Sequence, residues 1–279
     1  MWRLVLAVMV AATFLPLGLP TGLPTGHATA VTTSGAVVAT THAAASRTAQ
    51  RCPVPAGSLV RRAPGTGKTV ALTFDDGASG DAAAILTVLN RYHVRATFFD
   101  TGQHDARYPA VVRELAASGM VLGDHTWDHY YPTQVRGGWS RSYLRDQLAR
   151  TRNQQQALTG HPTCFFRPPG GYTDNVLAVS RSLGMSAVMW SVDSRDWAAP
   201  GHFSPAYQRT ILANATDLRY ADRDHPIVLM HAGKASHEPE SQVHAYRGNT
   251  IAALPAVIRW YRARGYRFVD MFGNAAPAR

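Results

Sequence analysis

Short apolar runs alternate with amphipathic stretches from Thr69 to the end of the chain. The apolar runs are rich in β-branched and aromatic residues, which is typical of buried strands. They predict seven strands, over residues 69–74, 96–100, 120–124, 164–167, 186–192, 227–231 and 266–271. The segments between them predict helices over residues 81–93, 109–119, 141–160, 175–184 and 250–265. This alternation indicates a parallel sheet with crossover helices, either a doubly wound sheet or a barrel that does not quite close.

Polar side chains stand at the points where the predicted strands end. Because the carboxyl ends of parallel strands meet at one edge of a sheet, we expect these side chains to converge there. They are Asp75 and Asp76 after the first strand, His125 after the third, Arg167 ending the fourth, Asp193 and Asp196 after the fifth, and His231 ending the sixth.

The segment HTWDH, residues 125–129, spaces two histidines by four positions. On a helical turn both imidazoles would project from one face, although such a pair by itself is more often a surface feature. Asp76 is the natural third ligand, because two imidazoles and one carboxylate form the open site that catalytic zinc uses. Asp75 would then be free to act as a general base, whereas Asp-Asp-Gly read alone is good turn chemistry.

Two further stretches supply groups that such a site needs. In FFRPPGGY, residues 165–172, Arg167 can pair with Asp75, and N–H groups after the prolines can stabilise an oxyanion. In SVDSRDW, residues 191–197, and LMH, residues 229–231, a carboxylate and His231 can form a general acid. Taken singly, the first stretch is a tight loop and His231 is a core histidine.

Together and in this order, the stretches resemble the polysaccharide deacetylases of carbohydrate esterase family four. The matching motifs are TFDDG, H-[ST]-x-x-H, R-x-P-x-G, D-x-x-D-W and L-x-H, and the resemblance covers about residues 69–272. It implies an α/β fold, a distorted TIM-like (β/α)7 barrel that forms a single catalytic domain.

The resemblance also implies a role for each matching residue. The catalytic base is Asp75, Arg167 orients it, His231 is the acid, and Asp196 tunes that histidine. The metal ligands are Asp76, His125 and His129, and the expected metal is zinc, although such a site also accepts cobalt or nickel. Residues expected to contact substrate are Gly170, Tyr172, Trp197 and Leu229. Gly170 stands where many members carry an aromatic residue, and Asp124 stands where asparagine is frequent.

The implied reaction is removal of N-acetyl groups, by cleavage of linear amide C–N bonds, from peptidoglycan or chitin oligomers. A metal-activated water attacks the acetamide carbonyl, with Asp75 as base and His231 as acid. Two alternatives remain, an acetylxylan esterase and a non-catalytic module that binds cell wall. The second predicts decay of catalytic positions, and all of them are present here.

Charge indicates the partner of the protein. Lys and Arg number 28 against 18 Asp and Glu, which gives a net charge of +10. Such a chain attracts polyanions, but its cations are scattered and no helix-turn-helix or aromatic RNA-binding pattern accompanies them. We expect a carbohydrate polymer as substrate, an anionic cell wall as surroundings, no nucleic acid, and a monomer.

The N-terminal segment predicts export. Residues 1–30 contain one cation, an apolar run and a small-residue cleavage site, which is typical of a signal peptide, with an uncleaved membrane anchor as the alternative. We therefore expect a secreted protein with no stable membrane span. Residues 31–68, rich in Thr, Ala, Ser, Gly and Pro, predict a disordered or loosely ordered linker before the catalytic domain at 69–272 and a tail at 273–279. Cys52 and Cys164 form either one disulfide or two free thiols.

Overall fold

The computed structural model describes residues 52, 57–239 and 241–277. The predicted signal peptide at 1–30 and most of the predicted linker lie outside these residues. Among the residues that are described, no helix combines the length and the apolar character needed to cross a membrane.

In the residues that the structure describes, nine parallel strands form one sheet with helices around it. Eight of them are hydrogen-bonded in the order β1-β6-β5-β4-β3-β2-β8-β7, and β9 pairs with the start of β2. Their bounds are β1 Leu59–Val60, β2 Thr69–Gly77, β3 Thr97–Asp100, β4 Val121–Asp124, β5 Phe165–Phe166, β6 Ser186–Val188, β7 Val192–Asp193, β8 Ile227–His231 and β9 Arg267–Phe268.

The sheet curls into a distorted barrel, as predicted. The strand predicted over 186–192 is in fact two strands, β6 and β7, which lie towards opposite ends of the hydrogen-bonded order. Six strand spacings separate them along the sheet, about 29 Å if it were flat. The chain from Val188 to Val192 spans at most about 14 Å. The sheet must therefore bend until its two sides approach each other, and a flat doubly wound sheet is excluded.

Seven helices pack around the strands in the described part of the chain. Five of them lie where the sequence predicts helices, within a few residues at each end. The short α2 and the longer α6 were not predicted. The helices are α1 Gly80–Arg91, α2 Gly102–Arg107, α3 Pro109–Ala117, α4 Arg141–Thr159, α5 Val176–Ser182, α6 Pro205–Ala215 and α7 Gly248–Arg262.

The central strand β2 is buried along its whole length. Phe74 stacks on Phe98 of β3 with ring centroids 5.0 Å apart, and α1 and α7 cover this side of the sheet with Leu86 and Leu254. Burial on both faces explains the continuous apolar run of residues 69–74. It also fixes the point at which the chain leaves the core, directly at the two aspartates.

The ordered fold begins before Thr69, which corrects the predicted boundary of the linker. Leu59 and Val60 form β1, which pairs with Ala187 and Val188 at the edge of the sheet. A two-residue strand leaves no periodic signal in a Thr- and Gly-rich segment, so composition could not reveal it. At the other end, Asn274 is hydrogen-bonded to Asp270, so the predicted tail at 273–279 begins inside the fold.

The two cysteines form a disulfide, which settles the choice that the sequence left open. Cys52 is bonded to Cys164, with Cα atoms 5.3 Å apart and 112 positions between them. Cys164 lies just before β5, so the bond ties the N-terminal segment to the sheet.

Candidate active site

A cavity of about 390 Å³ opens at the carboxyl edge of the sheet. It brings together most of the predicted site residues, namely Asp75, Asp76, His125, His129, Gly170, Trp197, Leu229 and His231. Arg167 and Asp196 are fully buried behind this lining. Tyr172 is the exception, because it is 36% exposed and packs on Tyr131, whose ring is 5.7 Å away and does line the cavity.

The three predicted metal ligands lie close together. Their ligand atoms are all within 4.8 Å of one another. Asp76 Oδ1 is 3.3 Å from His129 Nε2 and 3.6 Å from His125 Nε2. The predicted helical turn at residues 125–129 is wrong, since this segment is a loop that follows β4.

The loop brings both histidines to one point through unusual backbone conformations. Thr126 and His129 have φ angles of 68° and 66°, in the left-handed region that side chains rarely adopt. Side chains hold this geometry: Asp124 Oδ1 accepts the N–H of Thr126 at 2.7 Å, and Thr126 Oγ1 accepts that of His129 at 3.0 Å. Gln147 Oε1 accepts the backbone N–H groups of Trp127 and Asp128. The extra carboxylate of Asp124 therefore shapes the metal-binding loop.

The donor set fits a divalent cation. The Oδ1 atom of Asp76 is buried without a hydrogen-bond partner in the described residues. Burial raises the pKa of Asp76 to about 7, against the opposing charges of His231 and Arg247. Burial lowers the pKa of His125 and of His129, so both imidazoles are neutral and can ligate at neutral pH. His125 Nδ1 is 2.6 Å from the carbonyl oxygen of Arg167, which leaves its Nε2 free for the cation.

Asp75 is held by an arginine, as predicted. Arg167 Nη1 donates to Asp75 Oδ1 at 2.7 Å and to Thr73 Oγ1 at 2.8 Å. The rest of the guanidinium donates to the carbonyl oxygens of Val188 and Met189, and its Cζ atom lies 4.3 Å from the ring centroid of Phe99. All three nitrogens of the buried guanidinium therefore donate hydrogen bonds, which hold it in one orientation. Asp75 Oδ2 remains, 3.6 Å from His125 Nε2 and directed towards the metal site.

His231 and Asp196 form a second pair, with His231 on β8 directly beside Asp75 of β2. His231 Nδ1 donates to Asp196 Oδ1 at 2.7 Å, and its backbone N–H donates to Oδ2 at 2.9 Å. Thr250 Oγ1 donates to the same Oδ2 at 2.8 Å. Burial alone would lower the pKa of His231, but the charge and hydrogen bond of Asp196 raise it to about 9. The imidazole is therefore protonated at neutral pH, and Nε2 carries a proton.

The loop after β5 forms part of the cavity wall through Gly170. Pro169–Gly171 form a 3₁₀ turn in which Gly170 has a φ of 62°. A Cβ at this position would lie 3.1 Å from atoms of the Tyr131 and Tyr172 rings. Glycine thus meets both the backbone and the space requirement, and Tyr131 supplies aromatic surface to the cavity.

Arg247 is a site residue that the sequence analysis missed. It is fully buried, and its Nε donates to the carbonyl oxygen of Gly233 at 2.8 Å. Gly233 packs directly on Asp76, because a Cβ on this glycine would lie 2.1 Å from the Asp76 carbonyl oxygen. The charge of Arg247 lowers the pKa of Asp76, of Asp196 and of His231. It therefore acts on both halves of the site, and nothing in the segment YRGNT marks it as buried.

Other lining residues were also missed. Trp190 lies in the segment that separates β6 from β7, and Glu238 lies in the loop between β8 and α7. Glu238 Oε1 accepts the hydroxyl of Tyr131 at 3.1 Å. Trp190 lies three positions before the D-x-x-D-W motif and Glu238 lies seven positions after L-x-H, but neither belongs to a motif, so the sequence did not single them out.

Comparison with known proteins agrees with this geometry. The profile of the family described as polysaccharide deacetylase matches residues 62–188. A peptidoglycan-N-acetylglucosamine deacetylase of Bacillus cereus is 31% identical over 221 residues, which are 78% of this chain and 92% of that protein. A chitooligosaccharide deacetylase of Sinorhizobium fredii is 33% identical over 205 residues, 72% and 90% of the two chains. A solved structure of a peptidoglycan N-acetylglucosamine deacetylase superimposes with a TM-score of 0.63 at 28% identity, covering 79% of this chain and 95% of that one.

Proposed function

Because the chain belongs to the polysaccharide deacetylase family, we propose that it is a secreted, zinc-dependent hydrolase that removes N-acetyl groups from N-acetylglucosamine polymers. The observation that carries this proposal is that two charged pairs, Asp75 with Arg167 and His231 with Asp196, lie in one cavity with three residues that can hold a metal.

The metal ligands would be Asp76, His125 and His129. A divalent cation held there polarises the acetamide carbonyl and makes water more acidic. Two imidazoles and one carboxylate suit zinc, and they also accept cobalt or nickel.

Asp75 acts as the general base. Arg167 fixes one of its oxygens, so the other can accept a proton from the attacking water. As water adds to the acetyl carbon, the carbonyl oxygen becomes an oxyanion. A backbone N–H of the loop at Gly170, on the wall of the same cavity, is the group we assign to stabilise it.

His231 acts as the general acid. An amine leaves poorly unless it is protonated, and His231 carries a proton at neutral pH because of Asp196. Its transfer to the sugar nitrogen allows the C–N bond to break, which gives acetate and a free amine. An ester leaving group needs this proton less, so the strength of the pair favours amide over acetylxylan ester hydrolysis.

Substrate choice rests on the relatives rather than on the net charge. Among the described residues that line the cavity, four are acidic, Asp75, Asp76, Asp193 and Glu238, and none is Lys or Arg. The net charge of +10 therefore does not select an anionic substrate at this point. Peptidoglycan and chitooligosaccharide, the substrates in the names of the relatives, are the two substrates to compare. Secretion is supported by the Cys52–Cys164 disulfide, since such bonds persist in oxidising compartments.

The test is acetate release from three polymers, acetylated glucosamine oligomers, peptidoglycan and acetylxylan. We expect release from the first two, and its loss after chelation of the metal and in Asp75→Asn. Asp174→Asn, which changes an exposed carboxylate outside the cavity, is the matched control and should retain activity. Full activity of chelated protein or of Asp75→Asn would overturn the proposal, and release from acetylxylan alone would make the chain an esterase.

A further inference from the structure

Six exposed cations form one continuous surface, here called the basic face: Lys68, Arg91, Arg259, Arg262, Arg264 and Arg267. Contacts join its parts. Arg259 Nη1 donates to the hydroxyl of Tyr92, next to Arg91, and Arg262 donates to the carbonyl oxygen of the same tyrosine. The backbone N–H of Arg267 donates to the carbonyl oxygen of Lys68 at 2.9 Å. The end of α7, the end of α1 and the start of β2 therefore share this surface.

The basic face lies at the end of the barrel opposite the cavity. Arg267 pairs with Thr69 at the start of β2, whereas Asp75 lies six residues further on, about 20 Å along the strand. Likewise, α7 begins beside the site, where Thr250 binds Asp196, and its last residue Arg262 is about 18 Å further along the helix. A ligand on the basic face would not obstruct the cavity.

The basic face carries more cations than acids, and Asp222 and Asp224 are the acids that lie near its Tyr266. Residues 82–95 and 247–269 contain no Asp or Glu. Within residues 57–239 and 241–277, none of the six cations forms an ion pair with a carboxylate, and neighbouring Asp222 is paired with Arg62. The arginines donate to neutral oxygens instead, as Arg264 does to the carbonyl oxygen of Trp260. Some of these bonds stabilise helix ends, but each guanidinium has five N–H donors and keeps several free.

Cations of the basic face lie over three of its aromatic rings, and a fourth ring, that of Tyr92, is bound through its hydroxyl by Arg259. Arg264 lies 3.8 Å from the ring centroid of Trp260, Arg262 lies 5.8 Å from that of Phe268, and Lys68 lies 5.5 Å from that of Tyr266. Recognition of single-stranded nucleic acid uses free rings on which bases stack. This surface instead offers guanidinium planes that are held in place and suited to bind phosphate oxygens.

We propose that the basic face binds a linear polyol-phosphate polymer of the cell envelope and holds the enzyme with its catalytic cavity directed away from that polymer. The surface charge matches a repeating phosphate. The aromatic rings of this surface are already in contact with its cations, which matches a polymer without bases. The net charge of +10 thereby serves retention of the protein rather than recognition of the glycan. This inference does not depend on the reaction proposed above.

The probe is a soluble poly(glycerol phosphate) chain, with binding measured by calorimetry at several salt concentrations. The variant carries Arg259→Gln, Arg262→Gln, Arg264→Gln and Arg267→Gln. The control variant removes the same charge elsewhere, with Arg136→Gln, Arg141→Gln, Arg145→Gln and Arg181→Gln, all exposed residues in or near α4 and α5. We expect affinity to fall at least about tenfold in the first variant and much less in the second, with a shallower salt dependence only in the first.

Circular dichroism verifies that both variants are folded. Because Arg262 also contacts neighbouring carbonyl groups, the pair Arg264→Gln and Arg267→Gln provides a milder second variant. Acetate release from a soluble oligomer should be unchanged in all of them. The proposal is overturned if the two four-residue variants weaken binding equally, if neither does, or if single-stranded DNA of equal charge binds the basic face more tightly.

Discussion

Replacing Asp196 by asparagine removes the charge that stabilises the protonated form of His231 while preserving the shape of the side chain. In the protein, one oxygen of Asp196 accepts from His231 Nδ1 at 2.7 Å, and the other accepts from the His231 backbone and from Thr250. The amide oxygen of asparagine can still accept one of these bonds. The neutral amide, however, carries no charge that could balance the imidazolium of His231, whose side chain is only 12% exposed.

The size of the effect follows from the pKa of His231. Asp196 and its hydrogen bond raise this pKa from 6.5 to about 9 against the opposing effect of burial. The difference corresponds to about 3 kcal/mol. In Asp196→Asn, burial should bring the pKa to 6.5 or below. At about pH 8 the protonated fraction would then fall from about 90% to about 3%, so kcat/KM should fall about 30-fold or more.

The same pKa difference predicts a change in stability with pH. Because folding raises the pKa of His231, the protonated imidazole stabilises the folded protein. This stabilisation is fully present below pH 6.5 and is lost as pH rises through about 9. The pKa of Asp196 is lowered by His231, despite burial, so its stabilisation is lost only as pH falls through the folded pKa of Asp196. As pH rises from about 6.5 to above about 9, the free energy of unfolding of the wild type should decrease by up to about 3 kcal/mol more than that of Asp196→Asn.

The assay is kcat/KM for a soluble acetylated oligomer from about pH 5 to about pH 10, with metal in excess, together with urea unfolding at the two limits. The wild type should lose activity as pH rises above about 9. The variant should lose activity as pH rises above about 6.5, or above a still lower value. Asp174→Asn, on the surface, should behave like the wild type. A folded Asp196→Asn protein that keeps its alkaline limit near pH 9 would refute the reasoning.

Three further outcomes are expected. Asp75→Asn should retain the metal but lose activity by at least about 100-fold, whereas Asp76→Asn should lose both, as measured by elemental analysis and acetate release; equal metal loss in the two would contradict the assigned roles. Arg247→Met should move the alkaline limit of kcat/KM upwards, because the charge of Arg247 lowers the pKa of His231, and Arg247→Lys should restore it; unchanged pH profiles would exclude an electrostatic role. Cys52→Ser should lower the free energy of unfolding by about 2–5 kcal/mol, because the disulfide closes a segment of 112 positions, and an unchanged urea midpoint would argue against this.

The sequence pattern predicts a parallel sheet and the edge at which the site lies, because strands buried on both faces give continuous apolar runs that end abruptly at polar residues. The choice of a barrel over a doubly wound sheet came from the family resemblance. The sequence pattern does not predict the break between β6 and β7. Met189 and Trp190 are as apolar as the strands that flank them, so the chain shows no punctuation where it crosses between the two sides of the barrel.

The ligands in HTWDH were identified for a reason that proved wrong. A spacing of four predicts a shared face only on a helix, and here a loop with two left-handed residues brings the imidazoles to ring centroids 4.8 Å apart. Arg247 was missed for a different reason. Its side chain binds Gly233, which packs on Asp76 at the far end of the domain sequence, and no local pattern encodes this contact.

The left-handed backbone at Asp76 and His129 sets the stability of the fold against its capacity to hold a cation. Their φ angles are 64° and 66°, and each such conformation destabilises a fold by about 1 kcal/mol relative to glycine. Both residues are also members of the group that can hold a metal. The backbone strain is therefore concentrated at the positions where the site needs a side chain, and a bound cation, by holding these side chains, opposes the cost of that strain.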